Sequence, residues 1–293
     1  MILPEFDYHR PETVDEACAL LAELGSVARV IAGGTDLLVD LKREFAKADH
    51  LVTLRGIPEL TSIEKDAGGT LKLGPMVTPN EVGHSQLVRE SHLPLSEAAL
   101  TMAAYQIRNR ATIGGNLVSG VPSADMPPML IALGSRLELA SPAGRREIPL
   151  EEFFKGPRET QLGDSEILTK IIVPPPPEGS GAFYIKHSLR DASALAVVGV
   201  AACVEVDGGV CTKARIVLGA VAPTPLLAEK ASTSLAGNRP GGKLIEEVAE
   251  AAAGEARPIS DLRGSAEYRR ELVRVLTVRS LKAAFERAGA EID

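Results

Sequence analysis

The chain of 293 residues has no tryptophan, only 3% aromatic residues and just three cysteines. Cys18, Cys203 and Cys211 are too few and too scattered for a disulfide framework, form no CxxC pair and have no histidine at metal-ligand spacing. Each is flanked by apolar residues, which predicts burial as a small hydrophobe. His9, His50, His84, His92 and His187 stand far apart with no HExxH pattern, so neither a zinc site nor an iron–sulfur site is expected within the chain. Excess positive charge is also missing: 32 Lys+Arg against 39 Asp+Glu leave a net charge of −7, which disfavours nucleic acid as a partner. The longest uncharged run, Ala111 to Ala124, has 14 residues with three glycines and a proline. That falls short of the ~18–20 apolar residues needed to cross a bilayer, so no transmembrane segment is expected. The start, Met1-Ile2-Leu3-Pro4-Glu5-Phe6-Asp7, lacks the basic-then-apolar order of a signal peptide. A cytoplasmic location is the expectation, with any membrane attachment made through partners.

What is present is a folded globule, 45% hydrophobic and 24% charged, of a length that predicts two domains. Thr13-Val14-Asp15-Glu16 has capping-box order, Ala17, Leu20, Leu21 and Leu24 follow at helical spacing, and Gly25 supplies a stop. Val27 to Ala32 reads as a strand, Asp36 to about Glu44 as a helix, and His50 to Leu54 as another strand. Ser62–Lys65 and Thr70–Leu73 flank a turn and predict a hairpin. Thr78-Pro79-Asn80-Glu81 starts a helix with proline at its first position. A further helix is expected over Pro94–Ala103, and two strands with a turn over Arg136–Ile148. Pro174 to Pro177, a stiff proline run followed by Glu178-Gly179-Ser180-Gly181, marks the domain boundary. Beyond it, Ala194–Val206 and Val210–Val221 predict a hairpin closed by Asp207-Gly208-Gly209. Helical patterns near Pro225–Ala236, Lys243–Gly254 and Ala266–Ala288 complete the chain. The last is amphipathic, and packing on its own domain is favoured over docking a partner.

Two glycine pairs, Ala32-Gly33-Gly34-Thr35-Asp36 and Thr112-Ile113-Gly114-Gly115-Asn116, carry the chemistry. Gly33 and Gly114 lie 81 residues apart. A phosphate needs several N–H groups aimed at one place, and glycine lets the backbone approach without a Cβ in the way. The first pair sits between a strand and a helix start, where orphan N–H groups point outward. Hydrogen bonds to a charged group contribute about 1.5–3 kcal/mol each, so a few outweigh a surface lysine contact at roughly 0–1 kcal/mol. No lysine lies in either loop, which leaves the backbone to do the binding. A plain strand-to-helix turn is the alternative for either pair taken alone. Neither pair matches GxxxxGK[ST] nor completes GxGxxG, which speaks against a nucleotide kinase or an ordinary Rossmann enzyme.

Val30-Ile31-Ala32-Gly33-Gly34-Thr35-Asp36-Leu37-Leu38, followed by Gln106 to Leu117 with Arg108, Arg110 and the second pair, closely resembles the flavin-binding medium subunit of molybdenum hydroxylases. Carbon monoxide dehydrogenase, the xanthine dehydrogenases and nicotine- or quinoline-type oxidoreductases belong to that family. The resemblance spans essentially the whole chain, with further matches at Pro122-Ser123-Ala124-Asp125, Glu166-Ile167-Leu168, Asp261-Leu262-Arg263-Gly264 and Tyr268-Arg269. It implies an α+β fold: a two-subdomain FAD-binding domain of the PCMH/VAO type over residues 1–176, split near 55/56, then a smaller α+β domain over 177–293 with antiparallel strands covered by helices.

By the same resemblance, Gly33, Gly34 and Thr35 wrap the FAD pyrophosphate from one side and Thr112, Gly114, Gly115 and Asn116 from the other. Val30, Ile31, Ala32, Asp36, Leu37, Ala103, Ile113, Ser119 and Ala124 join them in the implied cofactor site. Asp125 matches a residue bonding ribityl or ribose hydroxyls, a helix cap being its other reading. Ile167 and Leu168 match residues covering the flavin ring, or are plain core strand positions. Lys186 matches a lysine near the flavin, or is a solvated strand-edge lysine. Met102 stands where some relatives have an aromatic. Arg108 and Arg110 add charge near the phosphates or line a solvated face.

The chain shows no cysteine set for a cluster and no acid/base pair for a demanding substrate. The resemblance therefore implies an electron-transfer subunit with no catalytic residue and no metal of its own. A molybdopterin-binding large subunit oxidises the substrate, and a small subunit with two [2Fe–2S] clusters passes electrons to this FAD, for onward transfer to NAD, a quinone or oxygen. A dimer of heterotrimers is the implied assembly. The hydroxybenzoyl-CoA reductase branch, with its extra [4Fe–4S] loop, is disfavoured by the three scattered cysteines. Two alternatives stay open: a self-contained VAO-type flavin oxidase, and a bridging subunit without flavin.

Overall fold

The computed structural model describes residues 3–292; Met1, Ile2 and Asp293, and with them part of the leader reading, lie outside the described residues. The first unit is a three-stranded parallel sheet in the order β1-β3-β2, built from β1 (Asp7–His9), β2 (Ala28–Ile31) and β3 (His50–Thr53). Helices α1 (Val14–Leu24) and α2 (Leu37–Lys42) make its crossovers. Thr13 Oγ1 accepts the Glu16 N–H at 3.1 Å, and Gly25 ends α1 at φ +62°. The Glu16 carboxylate takes the Glu12 N–H at 2.8 Å instead of that of Thr13, so the reciprocal half of the expected capping box sits one residue earlier. Strand β1, three mostly polar residues, left no period-2 pattern to read.

The second unit is a five-stranded antiparallel sheet in the order β4-β5-β10-β6-β7. Strands β4 (Ile63–Lys65) and β5 (Leu71–Leu73) form the expected hairpin, and β6 (Arg136–Ser141) pairs with β7 (Gly144–Pro149). Between them run six short helices: α3 (Pro79–His84), α4 (Gln86–Ser91), α5 (Leu93–Leu100), α6 (Tyr105–Arg108), α7 (Ile113–Val118) and α8 (Met126–Ala132). Helix α3 has a complete capping box between Thr78 and Glu81. A small hairpin, β8 (Phe154–Gly156) and β9 (Glu159–Thr160), precedes the central strand β10 (Ile167–Val173). Helix α8 is buried all round, which erases the amphipathic pattern by which it could have been read.

After the proline run comes a four-stranded antiparallel sheet, β11 (Ser180–His187), β12 (Val198–Asp207), β13 (Val210–Gly219) and β14 (Leu226–Leu227). The two-residue turn Gly208-Gly209 has both φ values positive, at +55° and +77°, as a tight hairpin requires. Strand β12 starts at Val198, not at Ala194; residues 188–197 form a connection along the first domain. Alternation then puts the two faces of this sheet to different uses. Ala182, Tyr184, Ala201 and Val217 share a core with Met129 and Leu130 of α8. Val200, Ala202, Ile216 and Leu218 pack instead with α9 (Glu229–Leu235), α10 (Gly242–Glu255) and α11 (Ala266–Arg287), through Val273, Leu276, Leu281 and Phe285. Helix α11 thus packs on its own domain, and the fold is α+β throughout. No helix among the described residues is long and apolar enough to cross a membrane.

Candidate functional site

The first wall of the site is the turn from β2 into α2. Gly34 has φ +74°, a conformation L side chains rarely adopt, and a Cβ on Gly33 would lie 2.1 Å from the Arg110 carbonyl oxygen. Gly33 is thus required by the close approach of the second glycine element. Among the described residues, the N–H groups of Gly33, Gly34, Thr35, Asp36 and Leu37 find no protein acceptor, and α2 has no side-chain cap. Five consecutive donors in a row are left for something else.

The second wall differs from the expected loop. Gly114 and Gly115 lie in the first turn of α7, where Thr112 Oγ1 caps the Gly115 N–H at 3.0 Å. The Gly114 N–H donates to the Pro75 carbonyl at 2.9 Å, and a Cβ there would lie 2.4 Å from the Pro75 Cβ. This pair therefore offers no free N–H, and the expectation of two matching amide cradles is corrected to one. Helix capping and packing claim the second. What α7 does present is side chains. Asn116 Oδ1 accepts the Met126 N–H at 3.1 Å, leaving its NH2 free among the described residues.

Between the walls lies a cavity of about 570 Å³, in the range of small-molecule and cofactor sites. The structure brings Val30, Ala32, Gly33, Gly34, Thr35, Asp36 and Leu37 to it from one side. Thr112, Gly114, Gly115, Asn116 and Ser119 line it from the other. Met102, Ala103, Ala124, Asp125, Ile167 and Leu168 complete the set of expected residues found there. Three do not line it. Ile31, the last residue of β2, packs on the opposite side near Leu41 and Leu51. Ile113 is fully buried in the main core. Lys186 lies behind the wall: its Nζ donates to Asp125 Oδ2 at 2.8 Å and to the Thr101 carbonyl at 3.2 Å. It is no solvated edge lysine. Nor is Arg108 a solvated face, since it bonds Asn80 Oδ1 at 3.1 Å and the Met102 carbonyl at 2.8 Å. Arg110 is exposed.

Asp125 stands at the start of α8 but caps nothing. Burial pushes its carboxyl above the usual carboxylate range, with Lys186 opposing that rise. Its second oxygen, Oδ1, is buried and has no partner, an arrangement that calls for a donor from a ligand. Asp36 is likewise raised, by burial and then by the neighbouring Asp40, whose own carboxylate pairs with Arg158 at 2.6 Å. Arg29, Asp40, Arg158, Asp164, Ala194 and Leu195 also line the cavity and were not anticipated. Arg29 and Asp40 come from β2 and α2, on either side of the first glycine turn, whereas Arg158, Asp164, Ala194 and Leu195 arrive from connections distant in the chain, where no local pattern marks them.

Residues 4–176 match the family described as the FAD binding domain in molybdopterin dehydrogenase, and residues 183–284 the CO dehydrogenase flavoprotein C-terminal domain. The carbon monoxide dehydrogenase medium chain of Hydrogenophaga pseudoflava is 38% identical over 290 residues, covering 99% of this chain and 100% of that one. The xanthine dehydrogenase FAD-binding subunit of Escherichia coli O157:H7 is 33% identical over 292 residues, covering 98% of each. A solved structure of carbon monoxide dehydrogenase from Hydrogenophaga pseudoflava superposes with a TM-score of 0.95 at 38% identity, covering 98% of this chain and 99% of that one. With both domains matched, the cavity between two glycine elements is that of an oxidoreductase subunit, and the chain belongs to the FAD-binding medium subunits of the carbon monoxide dehydrogenase and xanthine dehydrogenase family of molybdenum hydroxylases.

Proposed function

We propose that this chain holds FAD as the electron-transfer station of a molybdenum hydroxylase. The observation that carries the reading is the run of five acceptor-free N–H groups, Gly33 to Leu37, on the wall of a cavity of about 570 Å³. Those donors suit a diphosphate. The orphan Oδ1 of Asp125 suits a hydroxyl of the ribityl chain or a ribose, since a carboxylate only accepts. Ile167, Leu168 and Met102, all nearly fully buried, give the apolar surface that a flavin ring requires. The residues present therefore fit the cofactor. When bound, FAD supplies a centre that exchanges electrons singly or in pairs. The protein's part is to bind it, orient it and exclude water.

The relatives are chains of multi-subunit enzymes, which supports a relay in which electrons come from [2Fe–2S] clusters of a small partner subunit. Molybdopterin on a large partner subunit oxidises the substrate, and NAD, a quinone or oxygen takes the electrons away. On this reading residues 1–176 form the FAD-binding domain, residues 177–293 a companion domain, and the complex is a dimer of heterotrimers working in the cytoplasm. Two measurements test it. The isolated chain titrated with FAD should acquire a flavin visible spectrum, and the chain purified from its source should come with iron and molybdenum in partner subunits. A chain that takes up no flavin, or that is recovered with flavin but without iron or molybdenum proteins, contradicts the relay. Turnover of a small alcohol or aldehyde by the isolated chain would indicate the self-contained oxidase instead.

A further inference from the structure

The connection Thr101–Ala104, between α5 and α6, supplies Met102 and Ala103 to the cavity wall. Ala103 sits at φ +43°, a conformation a non-glycine residue keeps only when its surroundings impose it. Two donors impose it here, one on the peptide before Ala103 and one on the peptide after it. The Arg108 guanidinium folds back from α6 so that Nη1 donates to the Met102 carbonyl at 2.8 Å, and the Ser193 N–H donates to the Ala103 carbonyl at 3.2 Å. Arg108 is itself fixed, because its Nε donates at 3.1 Å to Oδ1 of the buried Asn80 of α3. The Asn80 NH2 donates in turn to Asn109 Oδ1 at 2.5 Å, so α3 grips Arg108 and its neighbour together. Arg108 is not among the residues lining the cavity, although Ile107 beside it is. Two residues further on, the Arg110 carbonyl is the atom that a Cβ on Gly33 would strike. Helix α6 therefore lies between two stretches of the cavity wall, and its arginine reaches one of them from behind.

We propose that Arg108 is a positioning residue of the cofactor site: braced by Asn80, it holds the Met102–Ala103 turn in the shape that faces the flavin ring and does not touch the diphosphate. This rests on the assignment of the cavity to FAD. The guanidinium suits the task because its planar fork presents two donors at a fixed angle, one for each acceptor. Both of those donors are committed to protein oxygens, whereas the free amides that suit a diphosphate lie on the other wall, at Gly33 to Leu37. Without the guanidinium, the Met102 carbonyl and Asn80 Oδ1 lose their donor, and leaving buried acceptors unmet is costly. The turn then escapes that cost, and the strain at Ala103, by leaving the left-handed region, which reshapes the wall beside the ring.

The test titrates the full chain with FAD at low and at high salt and records the visible circular dichroism of the flavin at saturation. The chains compared are wild type, Arg108→Met, Arg108→Lys, Ala103→Gly, and each arginine variant combined with Ala103→Gly. Arg108→Met is expected to weaken FAD binding about 10-fold, the scale of one lost charged hydrogen bond, and to change the dichroism of the bound ring. Its salt dependence should run parallel to that of wild type, because no phosphate contact is lost. Glycine adopts positive φ without strain, so the same substitution should cost less in the Ala103→Gly background. Arg108→Lys keeps one donor for the Met102 carbonyl and should recover part of the affinity and of the wild-type dichroism. Should Arg108→Met fail to fold, Arg108→Lys carries the same comparison between the two backgrounds. Wild-type affinity and dichroism in Arg108→Met, or a loss of equal size in both backgrounds, would overturn the positioning role. So would a loss with unaltered dichroism and a flatter salt dependence, which would put the guanidinium on the diphosphate. A wild-type chain that takes up no FAD would instead overturn the cofactor assignment, and this proposal with it.

Discussion

At the scale of single residues, the glycines show how a correct reading can rest on an incomplete reason. Gly33 and Gly114 are identified by sequence as residues that let a backbone approach a phosphate. In the structure a Cβ at either would first strike the protein itself, Arg110 O at 2.1 Å and the Pro75 Cβ at 2.4 Å. Gly33→Ala and Gly114→Ala should therefore destabilise the chain by about 1–3 kcal/mol with or without flavin, as overpacking does, which thermal or urea melts of the apo chain would measure. An effect confined to the FAD-bound form would contradict this. The cysteines offer a second check. Burial pushes the thiols of Cys18, Cys203 and Cys211 up to about 11, so iodoacetamide at pH 8 should label the folded chain slowly and the urea-unfolded chain readily.

Elements were legible where local chemistry decides them. Thr13, Thr78 and the Asp207-Gly208-Gly209 turn announce their helix starts and hairpin because a cap or a turn needs little beyond its own few residues. Strand β1 and helix α8 escaped, the one too short and polar and the other too uniformly buried to show a period. The site divided along the same line. The free amides of residues 33–37 follow from a strand-to-helix turn that the sequence displays, whereas Arg158, Ala194 and Leu195 reach the cavity through tertiary packing alone. At this scale Thr112→Ala should cost about 1 kcal/mol through loss of the α7 cap, seen as a lower urea midpoint. A second element-level anchor is Arg269, only 1% exposed, which donates to Asp261 at 2.6 Å and to the Val197 carbonyl at 2.8 Å, tying the start of α11 to the residue just before β12. The Arg263 and Arg269 guanidiniums hold the Asp261 carboxyl well below the usual carboxylate range. Its contribution to stability is therefore present above the unfolded-state pKa of about 4 and is lost as the pH falls below it. Asp261→Asn should lower stability by about 1.5–3 kcal/mol at pH 7 and flatten the acid limb of the stability profile.

For the whole molecule, the two domains share a core. Ala182, Tyr184, Ala201 and Val217 lie in the same cluster as Met129 and Leu130, and Arg287 reaches back to Glu97 at 2.7 Å. That predicts that residues 1–176 expressed alone will be aggregation-prone, with α8 uncovered on one side, even though the proline run reads as a clean boundary. A well-dispersed, cooperatively folding fragment would refute the shared-core description. The packing across the proline run was not legible, because the residues involved alternate along strands whose second face has its own helices to meet.

The proposed FAD site turns on a single bare strip of backbone, and hydrogen–deuterium exchange by mass spectrometry reads it directly. Amides of residues 33–37, without acceptors, should exchange fast in the apo chain, become protected on adding FAD, and stay unprotected with riboflavin, which has the ring and ribityl chain but no diphosphate. If FAD binds while the exchange of those five amides is unchanged, the diphosphate is held elsewhere and the central assignment is wrong.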